Sequence, residues 1–398
     1  MARMWLLIAA ALPVIATAAP AESEALHWRD VLAAIDRDPR FAAARAASNG
    51  ARAGIGVASA VPNPELDATL GRGKAREGDA ERTEWEVSLK FPLQWLVRRG
   101  PQIAAAAGEA DGAAADAAAL RREVTAELRR LYVEATFAQE LAAALGTSEE
   151  QVSTLASLVR RRVESGEARP VELPRIEVEL ERVRGERAHA AAERDAALAQ
   201  LSTWLGRPVA RVELPPATPP SKATGEEAPP RVRAADARLA AARAEVEAAR
   251  RERIPALAVG AFYASELDRR AAGVTLSTEL PLWNWNGPQI ARAAARADAE
   301  AARAEATRRE VAAAAALARS ACERSAGEAD RQATRIVPRA EESARTLERS
   351  FELGEANLID VLDARRVLLD ARCAALGSAR QREVDCGTSL ILAGMEIP

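Results

Sequence analysis

This chain is written twice. Pro64-Glu65-Leu66 corresponds to Pro255-Ala256-Leu257, Phe91-Pro92-Leu93 to Leu280-Pro281-Leu282, and Gly100-Pro101-Gln102-Ile103 to an identical Gly287-Pro288-Gln289-Ile290. Further on, Ser165-Gly166-Glu167-Ala168 corresponds to Leu353-Gly354-Glu355-Ala356, and Leu205-Gly206 to Ala393-Gly394. The five matches fall in order at offsets of 187 to 191 residues. Residues 22–207 and 231–398 are therefore tandem copies, and both halves should fold to one order of elements. The stretch between them, 208–230, holds seven prolines, including Pro215-Pro216, Pro219-Pro220 and Pro229-Pro230. That is the composition of a linker.

Within each copy the order reads helix, strand pair, very long helix, break, helix. The opening helix of the first copy is predicted over 26–60. Strands follow at about 64–71 and 84–92, with Leu66, Ala68 and Leu70 alternating with polar residues, then Trp85, Val87, Leu89 and Phe91 alternating with Glu84, Glu86, Ser88 and Lys90. The second copy repeats the pattern at about 256–264 and 273–281, through Leu257, Val259, Ala261, Tyr263, Val274 and Leu276. Strict alternation marks a strand with one dry and one wet face. The long helix is predicted from Pro101 to Glu164, roughly 95 Å at 1.5 Å per residue. Its seam (Val124, Leu128, Leu131, Ala135, Ala138, Ala142, Leu145, then Val152, Ala156, Val159 and Val163) is heptad-like with small knobs, and only Glu149 breaks it.

The alanine-rich, ring-poor composition, 48% hydrophobic with 4% aromatic, suits closely packed long helices. After the N-terminus no run approaches ~18 apolar residues, which excludes a helical membrane span. With 55 basic and 58 acidic residues the formal charge is −3, which argues against nucleic acid as a partner. Three cysteines (Cys322, Cys373, Cys386) at long spacing give neither a disulfide framework nor a zinc site, and Cys373 and Cys386 lie too far apart along one helix to join. With two histidines, His27 and His189, the chain holds no soft-metal set and no catalytic constellation, so neither an enzyme nor a cofactor is expected. Residues 1–21 combine Arg3, an apolar run and small residues at Ala16-Thr17-Ala18 and Ala19-Pro20-Ala21, a signal peptide cleaved after Ala18 or Ala21.

Four strands of about ten residues match the length that crosses a bilayer at a tilt. Aromatic residues sit near their ends: Trp85, Phe262 and Tyr263 on the loop side, and Phe91, Trp95, Trp283 and Trp285 on the helix side. Such girdles mark lipid–water interfaces, although in a soluble sheet the same rings would be core. Open sheet edges cannot persist in lipid, and four strands cannot close a barrel, so two, three or four copies must pool them.

The whole mature chain resembles the outer-membrane efflux protein (TolC-like) family. The residues that carry the likeness are Asp38-Pro39 before an Ala-rich helix, the two X-Pro-Leu turns followed by Gly-Pro-Gln-Ile, and Leu353-Gly354-Glu355-Ala356-Asn357-Leu358-Ile359-Asp360-Val361-Leu362-Asp363-Ala364. The Leu-Pro-Leu-Trp-Asn-Trp-Asn-Gly segment is also similar to ducts of cobalt–zinc–cadmium-type pumps. The resemblance implies a homotrimer whose twelve strands form one β-barrel in outer-membrane lipid, continued by an α-helical coiled-coil barrel across the periplasm. It implies the exit duct of a tripartite pump, docked through a periplasmic adaptor to an inner-membrane transporter, of resistance-nodulation-division type.

By the same resemblance Asp360 and Asp363 narrow the periplasmic entrance as stacked carboxylate rings. They match Glu172 and Arg175 of the first copy, so a ring there has mixed charge; Arg175 departs from the family pattern and could pair with Asp363 to latch a closed state. The alternative is a pair of solvated acids in the first turn of a helix, where the dipole favours them. The turns at Gly166-Glu167 and Gly354-Glu355 are expected to be hairpin tips that meet the adaptor, or ordinary helix-ending turns. The competing reading of the chain is a secreted periplasmic coiled-coil adaptor or scaffold, which should carry a lipoyl-like domain and many more strands than four.

Overall fold

A computed structural model describes residues 25–74, 81–215, 218, 228–266, 269–393 and 395. The expected signal-peptide segment 1–21, and residues 216–217 and 219–227 of the Pro-rich stretch, lie outside the described residues. The chain is mainly helical with one antiparallel sheet: α1 (Trp28–Ile35), α2 (Pro39–Ser59), β1 (Glu65–Lys74), β2 (Glu81–Pro92), α3 (Trp95–Glu164), α4 (Glu172–Leu205), α5 (Pro230–Arg251), β3 (Leu257–Ser265), β4 (Arg270–Thr278), α6 (Gly287–Arg331), a π-helical turn (Gln332–Ile336), α7 (Val337–Glu352) and α8 (Leu358–Ala393). Contacts divide it into two compact units, one of residues up to Val31 with Glu134–Pro215, the other of Leu32–Val133 with residues from Pro216 on.

Three boundaries differ from expectation. The opening helix is broken, because Asp38 caps a new helix by accepting from the Arg40 backbone N–H at 2.7 Å and Pro39 occupies its first turn. The Arg40 guanidinium also holds the Asp38 carboxyl below its usual range. The first hairpin is longer than expected, reaching Lys74 and Glu81. The long helix starts at Trp95 and contains Pro101. A proline there strips the bond that the carbonyl four residues back would receive. That carbonyl, on Val97, takes a hydrogen bond from Arg251 Nη1 at 3.0 Å instead. Pro338 follows the π-helical turn, where the regular ladder is likewise interrupted.

In the first unit the C-terminal half of α3 supplies buried Val152, Ala156 and Val159, and α4 supplies Ile176, Val183, Ala190 and Leu201. Glu149, which breaks the heptad, is an ion-pair position: Arg184 Nε and Arg187 Nη1 donate to it at 3.2 and 2.5 Å. The Arg187 guanidinium, helped by Arg184, holds that carboxyl below the ordinary range. At the other end Leu26 pairs with Val212, and Gln139 clamps the Val212 backbone through both its amide atoms.

In the second unit α6 packs on α5 through alanine knobs, Ala235 with Ala304 and Ala242 with Ala297. A side chain at Gly108 would come within 2.9 Å of Ala241, so α3 and α5 approach as closely as alanine-rich surfaces permit. Cys322 of α6 and Cys386 of α8, both buried, form a disulfide. This corrects the expectation that the cysteines form none: helix packing brings together residues whose spacing of 64 carries no signal. Cys373 is free. Replacing both bridged cysteines by serine is expected to cost about 2–4 kcal/mol, read as an earlier chemical-unfolding midpoint against the oxidised parent. An unchanged midpoint would show the bridge to be idle.

Candidate functional site

The sheet is ordered β1-β2-β3-β4, all antiparallel, so the two hairpins join through β2 and β3 and leave β1 and β4 as edges. Its register decides which residues share a face, because directly opposed residues point the same way. Leu66 faces Leu89, Ala68 faces Val87 and Leu70 faces Trp85. Val87 faces Tyr263, Leu89 faces Ala261 and Phe91 faces Val259. Val259 then faces Leu276, and Ala261 faces Val274. Every apolar alternate of the four strands therefore lies on one face. That face is bare: Leu70 is 77% exposed and Val274 88%. A sheet in a soluble domain would have buried it.

The opposite face carries Asp67, Glu86, Ser88 and Lys90 on the first hairpin, with an Asp67–Lys90 ion pair at 2.9 Å, and Gly260, Gly273 and Thr275 on the second. Phe262 belongs to this face. Period-two geometry separates it from Tyr263, with which it was grouped, and its ring lies where a Gly273 side chain would stand, 2.7 Å away. Trp85 and Tyr263 remain together on the apolar face, ring centroids 5.5 Å apart. At the helix end, Trp95 opens α3 beneath the Arg99 guanidinium, 5.5 Å from the ring centroid, and Trp283 and Trp285 are exposed in the corner before α6.

Where α3 and α7 end, the two predicted turns share one hydrogen-bond pattern. Gly166 (φ 78°) donates to the Val163 carbonyl and Glu167 to that of Arg162. Gly354 (φ 81°) donates to Phe351 and Glu355 to Ser350. Both are helix-ending turns with the glycine in the left-handed region that other residues avoid. All four tip residues are exposed.

Asp360 and Asp363 lie exposed on one side of the first turn of α8, opposite buried Leu358, Val361 and Leu362. Asn357 caps this helix, its Oδ1 accepting from the Ile359 and Asp360 backbone N–H groups at 3.0 and 3.2 Å. The Asn-x-x-Asp spacing was a legible cap signal that the motif reading passes over. Ion pairs Arg365–Glu348 and Arg372–Glu341, at 2.9 and 2.8 Å, tie α8 to α7 behind the tip. In the first unit Glu172 is half-buried at the start of α4, 3.4 Å from Arg169 Nε, and Arg175 is exposed one turn on.

A model of the family described as "Outer membrane efflux protein" matches residues 32–207 and 226–385. The cobalt-zinc-cadmium resistance protein CzcC of Cupriavidus metallidurans is 27% identical over 337 residues, 81% of this chain and 79% of that protein. Two solved structures share the fold. VceC of Vibrio cholerae has a TM-score of 0.75 at 18% identity, covering 92% of this chain and 96% of its own. The open-state MtrE channel of Neisseria gonorrhoeae has a TM-score of 0.74 at 21% identity, covering 92% and 89%. With the family model matching residues over most of its length, the chain belongs to the outer membrane efflux protein family and is a conduit through that membrane, not an enzyme.

Proposed function

We propose that three copies of this chain pool their hairpins into a twelve-stranded barrel in outer-membrane lipid, continued by a coiled-coil barrel of helices across the periplasm. The observation that carries this reading is the sheet itself: four strands, one bare face that is apolar from Leu66 to Leu70, Trp85 to Phe91, Leu257 to Tyr263 and Ala272 to Leu276, and two edges that lipid would not tolerate unpaired. The two copies at 22–207 and 231–398, joined by 208–230 and preceded by a signal peptide, each give one hairpin and one long-helix pair. A periplasmic adaptor meets the tips at Gly166-Glu167 and Gly354-Glu355 and joins the duct to an inner-membrane pump of resistance-nodulation-division type.

The aromatic girdles are Trp85 with Tyr263 on the outer side, and Phe91, Trp95, Trp283 and Trp285 on the periplasmic side, without Phe262. At the entrance, three copies of Asp360 and Asp363 form carboxylate rings, with Glu172 and Arg175 beside them. The relative named for cobalt, zinc and cadmium resistance makes metal cations the cargo class we infer. Transit needs no coordinating cluster, and among the described residues no group of three or more His, Cys, Asp and Glu is placed to hold a metal.

Planar bilayers test this reading. The parent protein should give discrete conductance steps reduced by divalent cations. Asp360→Ala with Asp363→Ala should raise the step size roughly two-fold or more and weaken the block, because carboxylate rings both narrow the path and bind the blocker. Absence of steps from the parent overturns the duct. Identical steps and block in the double variant overturn the gate alone.

A further inference from the structure

At the foot of the sheet, where strands give way to helices, the chain builds two arginine–tryptophan couples that the passage of cargo does not require. Arg99 lies over the Trp95 ring. Arg253, in the corner between α5 and β3, donates through Nε to the Trp285 carbonyl at 3.3 Å. Both guanidiniums are exposed, and neither takes part in an ion pair among the described residues. Their neighbours differ: Arg98 pairs with Glu252 at 3.5 Å and Arg250 with Glu247 at 2.6 Å.

The couples sit on a preorganised collar. The Asn286 amide donates to the Ala249 carbonyl at 2.8 Å and to Glu252 at 2.9 Å, locking the corner before α6 onto the end of α5. Leu93 N–H donates to the Leu257 carbonyl at 2.7 Å, locking the other corner to β3. Leu96, at the start of α3, and Leu280, Leu282 and Trp283, in the corner between β4 and α6, are all exposed.

We infer that this collar binds the phosphate headgroups of anionic phospholipid in the periplasmic leaflet, with Arg99 and Arg253 as the headgroup ligands and the indoles of Trp95 and Trp285 seated at the same depth. The chemistry is complementary at each level. A guanidinium presents a planar fork that matches a phosphate. An indole prefers the headgroup zone, and the leucines continue into the acyl region. Unpaired cations beside a lipid surface are attracted to anionic leaflets. The inference rests on the membrane-spanning reading of the sheet.

The test uses the full-length protein in phosphatidylcholine vesicles into which brominated phosphatidylglycerol is titrated, with tryptophan fluorescence quenching as the readout. The parent should prefer phosphatidylglycerol over phosphatidylcholine roughly ten-fold or more, and Arg99→Gln with Arg253→Gln should bring the preference to within about two-fold of unity. Brominated phosphatidylcholine alone should quench parent and variant alike, showing that both are inserted. No preference in the parent, or the full preference retained in an inserted variant, overturns the headgroup site while leaving the barrel intact. No quenching by any brominated lipid overturns the barrel, and the site with it.

Discussion

Arginine in place of Val87 is expected to keep the protein out of the outer membrane, whereas arginine in place of its neighbour Glu86 leaves insertion intact. Val87 sits mid-strand on the apolar face, opposite Ala68 on one side and Tyr263 on the other. In the proposed barrel its side chain meets hydrocarbon, where an arginine near the midplane costs about 2–4 kcal/mol. A trimer carries the substitution three times in one ring, so the penalty recurs in a single assembly. Glu86 differs by one position and points to the opposite, polar face, where a charge already stands. The measurement is the detergent-insoluble outer-membrane fraction together with the heat-modifiable trimer band. Equal behaviour of the two variants would refute the assignment of faces, since no other property distinguishes adjacent exposed positions so sharply.

Glu383→Leu is expected to destabilise the fold by about 3–5 kcal/mol, and Arg129→Met by less. Both side chains are 2% exposed. Arg129 Nη2 donates to Glu383 at 3.3 Å and to Thr218 Oγ1 at 3.1 Å. Thr218 donates its own backbone N–H and hydroxyl to the same carboxylate, at 3.1 and 2.6 Å, and Arg382 adds a bond of 2.9 Å. The asymmetry follows from what each substitution strands. Without Arg129 the carboxylate keeps Thr218 and Arg382. Without Glu383 a guanidinium stays in a site whose burial already pushes its pKa down, with the attraction that opposes that shift removed. The pair Arg129→Met with Glu383→Leu should recover most of the loss, because neither charge is then left behind. Chemical-unfolding midpoints of the four proteins form the cycle. A double variant as unstable as Glu383→Leu alone would mean that packing, not charge, carries the effect.

Much of the site was open to reading along the chain. Alternation in Leu66-Ala68-Leu70 and in Val274-Leu276 identified strands and their dry faces, because side-chain direction in a strand depends only on parity. The glycines at 166 and 354 marked turns, because a left-handed residue is nearly always glycine. By the same parity Phe262 and Tyr263, adjacent in the chain, lie on opposite faces of the sheet. The expected start of the long helix at Pro101 is too late; this proline lies inside the helix because Arg251, at the end of α5, satisfies the carbonyl it strands.

The amino-acid order alone determined the four strands, the long helices, the glycine turns that end them and the parity of each strand face, since all of these depend on neighbours a few positions apart. Tertiary structure alone decided the Cys322–Cys386 bridge, the Arg129–Glu383–Thr218 cluster and the meeting of the two hairpins through β2 and β3. Each depends on how far one helix or strand slides against another. That offset is set by the fit of whole surfaces, and no local period records it.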